Sequence, residues 1–101
     1  MRRRVRFAAL AGCIFTIPAH AADAAFGQYL ASECVTCHRA DGQNKGIPAI
    51  IGWPPDQFIA VMKSYKERVR PNIVMQTIAA KHSDDEIDAL AAYYANVPAT
   101  K

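Results

Sequence analysis

The pentapeptide Cys-Val-Thr-Cys-His at positions 34–38 constrains this chain more than any other feature of its sequence. Cys-x-x-Cys-His is the attachment pattern of c-type haem. Two thiols three positions apart can each add to one vinyl group of the porphyrin, and the next residue can place an imidazole beneath the iron. We therefore expect one covalent haem c, attached through Cys34 and Cys37, with His38 as the proximal iron ligand.

Two other chemistries also use closely spaced cysteines. A thioredoxin-like redox pair needs a βαβ setting, which this chain does not predict. A zinc site needs four ligands, and the candidates would be Cys34, Cys37, His38 and His82. Adjacent Cys37 and His38 are awkward partners on one ion. Haem is favoured, and its apolar macrocycle would also supply core to a short chain.

Residues 1–21 are predicted to be a cleaved export signal. Four arginines precede an apolar stretch over residues 7–17, and Ala19-His20-Ala21 matches a small-x-small cleavage site. The predicted mature domain is then 22–101, and we expect it in the periplasm, because covalent haem attachment takes place outside the cytoplasm. A lipobox-like sequence at 10–13 leaves lipid anchoring at Cys13 as the alternative.

The charge balance argues against nucleic acid as a partner. The full chain carries +3, but four of its 12 Lys and Arg residues and none of its nine Asp and Glu residues lie in the predicted signal. The predicted mature domain therefore carries −1 and lacks the positive surface that phosphate binding requires. It also contains no apolar run near the ~20 residues that span a bilayer.

Hydrophobic periodicity predicts an all-α domain of three main helices. The segment from Arg39 to Pro55 is rich in Gly and Pro and is predicted to be loop. Ser83 and Glu86 have the spacing of a capping box. The helices are expected over residues 23–33, 56–70 and 83–97, with Phe26 and Leu30 on the inner face of the first and Tyr29 beside them.

The haem iron needs a sixth ligand or an open site. Met62 lies on the apolar stripe of the second helix, where methionine usually fills core. His82 precedes the Ser83 cap and is expected to be exposed. Met75 lies between the second and third helices, in a connection over residues 72–81 predicted to hold at most one helical turn, from which a thioether could reach the distal face. We favour Met75, because a loop can present its thioether without unwinding a helix; thioether ligation raises the potential, which suits electron transfer.

These pieces, in this order, resemble the small class I cytochromes c of bacteria over essentially the whole predicted mature domain. The resemblance is carried by the first helix leading into the haem motif, by GIPAIIG at 46–52, by RPNIVM at 70–75, and by SDDEI and LAAYY within 83–94. The arrangement Val74-Met75-x-x-Ile78-Ala79 is most similar to the one in the monohaem cytochrome subunits of flavocytochrome c sulfide dehydrogenases.

The resemblance implies a class I cytochrome c fold packed around one haem. It implies a periplasmic carrier of single electrons that does no bond chemistry itself, either free or as the electron-accepting subunit of a dehydrogenase. The expected partners are redox proteins, such as a flavoprotein sulfide dehydrogenase subunit or a terminal oxidase. The alternative is a haem protein with an open distal site that binds gases or acts like a peroxidase.

The resemblance also implies roles for single residues. The carbonyl of Pro48 would accept the proton on the second nitrogen of His38, which orients the ring. Met75 would be the distal ligand, and Gly27 would let the first helix cross the last at close range. Arg70 is weighed as a contact for the haem propionates, because a guanidinium can pair two carboxylate oxygens; a solvated Arg70 is the other reading.

Overall fold

The computed structural model describes residue 6, residues 8–9, residues 11–15 and residues 19–98. Within this part of the chain all regular structure is helical and no strand occurs. The elements are α1 (Ala19–Leu30), a 3-10 helix η1 (Ala31–Thr36), α2 (Pro55–Lys66), α3 (Ile73–Ala80) and α4 (Asp84–Ala95). The all-α prediction is confirmed, and α3 is a short helix in addition to the three predicted.

The structure describes the two ends of the chain only in part. Residues 1–5, 7, 10 and 16–18 of the predicted export signal, and residues 99–101 of the predicted domain, lie outside the described residues. The predicted cleavage site falls within α1. No helix in the described part of the chain is long and apolar enough to cross a membrane.

Helices α1 and α4 cross at Gly27, which is buried. A Cβ atom at this position would lie 2.0 Å from the carbonyl oxygen of Ala89 and 2.7 Å from Cβ of Tyr93. Both distances are far inside van der Waals contact, and the nearer neighbour is backbone. Only glycine therefore allows this crossing.

The inner face of α1 differs from the prediction. Phe26 and Tyr29 are 46% and 77% exposed, whereas Gly27 and Ala31 are buried and Leu30 is half-buried. The close crossing requires the face of α1 that carries Gly27, and this turns the aromatic rings outward; Ala31 follows as the first residue of η1.

The core joins η1, α2, α3 and α4, and Leu30 of α1 packs against it. Met62 is 6% exposed within it, so the expectation that this methionine fills core is confirmed. The rings of Phe58 on α2 and Tyr94 on α4 stack at 5.6 Å between centroids. The buried core residues are Ala31, Phe58, Met62, Ala79, Ile87, Leu90, Ala91 and Tyr94.

Helix α4 begins with the predicted capping box. Ser83 Oγ accepts from the backbone N–H of Glu86 at 3.2 Å, and Glu86 Oε1 accepts from the backbone N–H of Ser83 at 3.3 Å. Two N–H groups that the helix cannot bond internally are thereby satisfied.

Replacing Ser83 with alanine is expected to lower the free energy of unfolding by ~1 kcal/mol, since the cap acceptor is lost. Urea denaturation of the haem-loaded protein measures this. Ser83→Asn keeps an acceptor oxygen at the cap and should stay close to wild type. Equal losses for the two variants would mean that the hydroxyl does not act as a cap.

Candidate haem site

The two motif cysteines lie on one tight turn. Cys34 lies in η1, and Cys37 is the C-cap residue that directly follows the end of η1. The carbonyl of Cys34 accepts from the N–H groups of Cys37 at 3.2 Å and His38 at 2.8 Å. In a 3-10 turn the residues i and i+3 lie above one another, so both thiols emerge on the same side. Neither cysteine forms a disulfide within the described residues.

The two thiols have different surroundings. Cys34 is half-buried against the core, whereas Cys37 is exposed. Burial raises the pKa of the Cys34 thiol; the nearby Tyr94 hydroxyl opposes this shift, and the charge of Glu33 adds to it. Cys34 is therefore held as the neutral thiol in its apolar setting.

Tyr94 brings a buried hydroxyl to the side of Cys34. Its side chain is 3% exposed, and its hydroxyl faces the thiol of Cys34, with no other hydrogen-bond partner in the described part of the chain. Burial and the adjacent Cys34 raise the pKa of Tyr94 far above its ordinary value. A buried hydroxyl whose one partner is a thiol, which is a weak acceptor, is unusual in a packed core, and it fits a site that a cofactor completes.

The imidazole of His38 is oriented by the loop that follows the motif. Its Nδ1 lies 2.6 Å from the carbonyl oxygen of Pro48. A carbonyl can only accept a hydrogen bond, so Nδ1 carries the proton and donates it. The neutral ring then presents the lone pair of Nε2, which is the form that binds iron.

Turns within the loop bring Pro48 to this position. Gly46 has a φ of +92°, and its N–H donates to Oδ1 of Asn44 at 3.1 Å. Further along, the N–H of Gly52 donates to the carbonyl of Tyr94 at 2.8 Å. The loop is thus shaped by a side-chain turn before Pro48 and tied to α4 after it.

Met75 is on a helix and not in a loop as predicted. It lies in the first turn of α3, where its backbone N–H donates to Oδ1 of Asn72 at 3.0 Å. The amide of Asn72 therefore acts as an N-cap, a role that was not among the sequence predictions. The side chain of Met75 is half-buried and packs against the core.

Half-buried apolar side chains from several elements pack against the core of the domain. Cys34 and Met75 both pack against this buried core. The half-buried hydrophobic residues on that core are Leu30, Cys34, Ile50, Ile51, Trp53, Ile59, Tyr65, Met75, Tyr93 and Val97. An apolar wall, two thiols on one turn and an imidazole with a free Nε2 fit a haem.

Arg70 lies outside this apolar wall. It is exposed, and its guanidinium carbon stands 5.6 Å from the centroid of the Tyr65 ring, a cation–π contact. Its role as a propionate contact stays a prediction. The backbone carbonyl of Arg70 accepts from Nε2 of the buried Gln76 at 2.9 Å, which ties the chain before α3 to that helix.

His82 is buried, at 5% exposure, so the expectation that it is exposed was wrong. The chain turns sharply between α3 and α4 at the Ser83 cap, and this turn places the imidazole inside. Its Nδ1 bonds Glu86 Oε2 at 3.1 Å. The four-residue spacing of this pair was visible in the sequence; the burial had no local signal.

The geometry does not support the two competing chemistries. In the described residues, no group of three or more His, Cys, Asp or Glu side chains is placed to hold a metal ion, as a four-ligand zinc site would require. The absence of strands from the same residues likewise removes the βαβ setting of a thioredoxin-like pair.

Comparison with known proteins decides the family. The family described as "Cytochrome C oxidase, cbb3-type, subunit III" matches residues 20–93. This chain belongs to the cytochrome c family. Membership brings a covalently bound haem c and a part in electron transport.

Individual relatives of this cytochrome c are distant. It is 37% identical over 70 residues to a thiosulfate dehydrogenase electron acceptor of Stutzerimonas stutzeri, covering 64% of this chain and 32% of the relative. It is 31% identical over 72 residues to a cytochrome subunit of sulfide dehydrogenase of Chlorobaculum tepidum, covering 70% and 66%. It is 32% identical over 81 residues to cytochrome c-554(548) of Halomonas halodenitrificans, covering 75% and 98%.

This cytochrome c spans about a third of the length of the first of these relatives and just under two thirds of the second. It matches nearly the full length of the third.

Proposed function

We propose that this cytochrome c is a periplasmic monohaem electron carrier. Cys34 and Cys37 attach the haem, His38 is the proximal ligand and Met75 the distal ligand. The observation that carries the proposal is the hydrogen bond from His38 Nδ1 to the carbonyl of Pro48 at 2.6 Å. This bond leaves Nε2 available as an iron ligand on the residue that directly follows Cys37. When bound, the haem supplies an iron that accepts and releases one electron.

The protein's own residues would control that iron. Pro48 holds the His38 ring in one tautomer and increases its basicity as a ligand. The apolar residues around Cys34 and Met75 exclude water from the site, which keeps the same ligands on the iron in both oxidation states. Arg70 is proposed only as a contact for the propionates at the edge of the haem.

The proposed partner is a redox enzyme of sulfur metabolism. Two relatives support this, since one is named an electron acceptor of thiosulfate dehydrogenase and another a cytochrome subunit of sulfide dehydrogenase. A flavoprotein sulfide dehydrogenase is favoured over a terminal oxidase. Purification from the native periplasm tests this: a flavoprotein that co-purifies supports the subunit role, and a cytochrome that runs only as a free monomer contradicts it.

An optical spectrum of the secreted chain, expressed with a c-type haem maturation system, tests the function. We expect a covalently bound low-spin haem whose ferric form has the weak red band of a methionine–iron bond. A high-spin ferric haem would favour the alternative with an open distal site, and the absence of covalent haem would refute the proposal. The intact mass of the same protein tests export, since removal of residues 1–21 is expected and a lipid on Cys13 would contradict it.

A further inference from the structure

An ion pair joins the segment just before the haem motif to the segment just after α3. Glu33, which directly precedes Cys34, pairs through Oε1 with Nζ of Lys81. Lys81 directly follows Ala80, the last residue of α3. The two charged residues are 48 positions apart in sequence, so this contact links segments that only the fold brings together.

His82 fills the space beside this pair. Its Nε2 lies 3.7 Å from Glu33 Oε2, and its Nδ1 lies 3.1 Å from Glu86 Oε2. Glu86 is a carboxylate acceptor, so Nδ1 carries the proton. The imidazole is therefore held by α4 on one side and faces Glu33 on the other.

Lys66 of α2 completes the surroundings of this imidazole. Its Nζ donates to the backbone carbonyl of His82 at 2.5 Å and lies 3.8 Å from Asp84 Oδ1. We call Glu33, Lys66, Lys81, His82, Asp84 and Glu86 the ionic cluster. Its members come from η1, α2, α4 and the link between α3 and α4, so the cluster meets at a junction of four parts of the fold.

The hydrogen bond between Glu33 and Lys81 favours the charged form of the glutamate. The hydrogen bond from Lys81 is the main cause of a lowered pKa at Glu33, and His82 adds a smaller effect in the same direction. A lowered carboxyl pKa means that the contact is present above the ordinary carboxyl range and is lost as the pH falls through the lowered value. Glu33 is thus ionised and paired throughout the neutral range.

The location of this pair matters because it links two segments that reach the same buried core but have different main neighbours. The main neighbour of η1 is α1, and the main neighbour of α3 is α2. Under the proposed function, η1 carries the haem attachment and α3 carries the distal ligand. The contact from Glu33 to Lys81 is then a direct brace between the two segments that hold the haem.

We propose that Glu33 is a positioning residue for the haem, which holds α3 against the attachment turn through Lys81 and so keeps Met75 on the iron. This inference rests on the proposed function, since it takes Met75 as the distal ligand. An exposed ion pair adds little to global stability. Its loss acts locally, by letting α3 separate from the attachment turn more often and opening the iron to outside ligands.

The test compares Glu33→Gln with Glu67→Gln in the ferric haem protein. Both changes remove one carboxylate charge from an exposed glutamate, and Glu67 forms no ion pair within the described residues. Imidazole at mildly alkaline pH serves as an uncharged probe. Its binding rate at saturation reports how fast Met75 leaves the iron, and we expect Glu33→Gln to raise that rate about two- to fivefold, with Glu67→Gln unchanged.

A second variant protects the test against failed maturation. Lys81→Gln removes the other end of the brace without touching the residue beside Cys34, and it should raise the same rate to the same extent. The double variant should be no faster than either single one, since both break one contact. Urea midpoints of the haem proteins should change little, which separates this positioning role from a general loss of stability.

Two outcomes overturn the inference, and they are distinguishable. If the methionine–iron band is present and Glu33→Gln and Lys81→Gln match Glu67→Gln in rate, the brace has no effect on the iron and the proposed function stands. If the wild-type protein has no such band at neutral pH, Met75 is not the ligand. The proposed function then fails in that respect, and this inference fails with it.

Discussion

Met75→Ala is expected to open the iron and lower the midpoint potential. Loss of the thioether removes a ligand that favours ferrous iron, so the potential should fall by part of the ~0.8 V range that axial ligands control. The ferric spectrum should become high-spin or water-ligated, and the red methionine band should disappear. Redox titration and optical spectra of the haem protein measure both effects.

The matched control is Met62→Ala. Met62 is a buried core residue on α2, so its truncation should cost ~2–5 kcal/mol of stability while the methionine band persists. If Met62→Ala alone abolishes the band, the assignment of Met75 is wrong.

Carbon monoxide separates the electron carrier from the alternative haem protein with an open distal site. The wild-type ferrous protein should resist carbon monoxide at neutral pH, and the Met75→Ala variant should bind it. Rapid binding by wild type would favour the alternative with an open site.

Gly27→Ala is expected to destabilise the protein strongly. The new Cβ would lie 2.0 Å from the Ala89 carbonyl oxygen, so α1 and α4 would have to separate. Overpacking of a well-packed interior costs ~1–3 kcal/mol and sometimes more, and backbone cannot yield as a flexible side chain can. Since small domains hold only ~5–15 kcal/mol, we expect a large fall in urea midpoint and a poor yield of haem protein.

Gln28→Ala provides the comparison for Gly27→Ala. Gln28 is the next residue of α1 and is exposed, so its replacement should change stability by no more than ~0.5 kcal/mol. A Gly27→Ala variant as stable as Gln28→Ala would show that the two helices do not approach as closely as the structure has them.

Local rules were enough for much of the fold. The capping box at Ser83 and the apolar stripes of α2 and α4 follow from spacings of three and four residues, which the helix geometry itself sets. The same rules predicted at most one helical turn over residues 72–81, where α3 lies. Asn72 caps that helix through one hydrogen bond to Met75, and a run as short as Ile73–Ala80 is stabilised mainly by packing against its neighbours.

The outward rings of Phe26 and Tyr29 show where periodicity alone misleads. Apolar residues at helical spacing predicted an aromatic inner face for α1. The structure instead buries Gly27 and Ala31, because the gain from a close helix crossing depends on the partner helix. No pattern within α1 contains that information.

By itself, the sequence indicated the chemistry of this protein. The spacing of Cys34, Cys37 and His38 is the attachment pattern of c-type haem, and that pattern is visible in five consecutive residues. Only the tertiary structure decided what lies around that motif: the burial of His82, the Tyr94 hydroxyl beside Cys34, and the pair of Glu33 with Lys81. These contacts join residues far apart in the chain, and their distances depend on how closely α1 crosses α4 and where α3 turns, which packing of the whole domain sets.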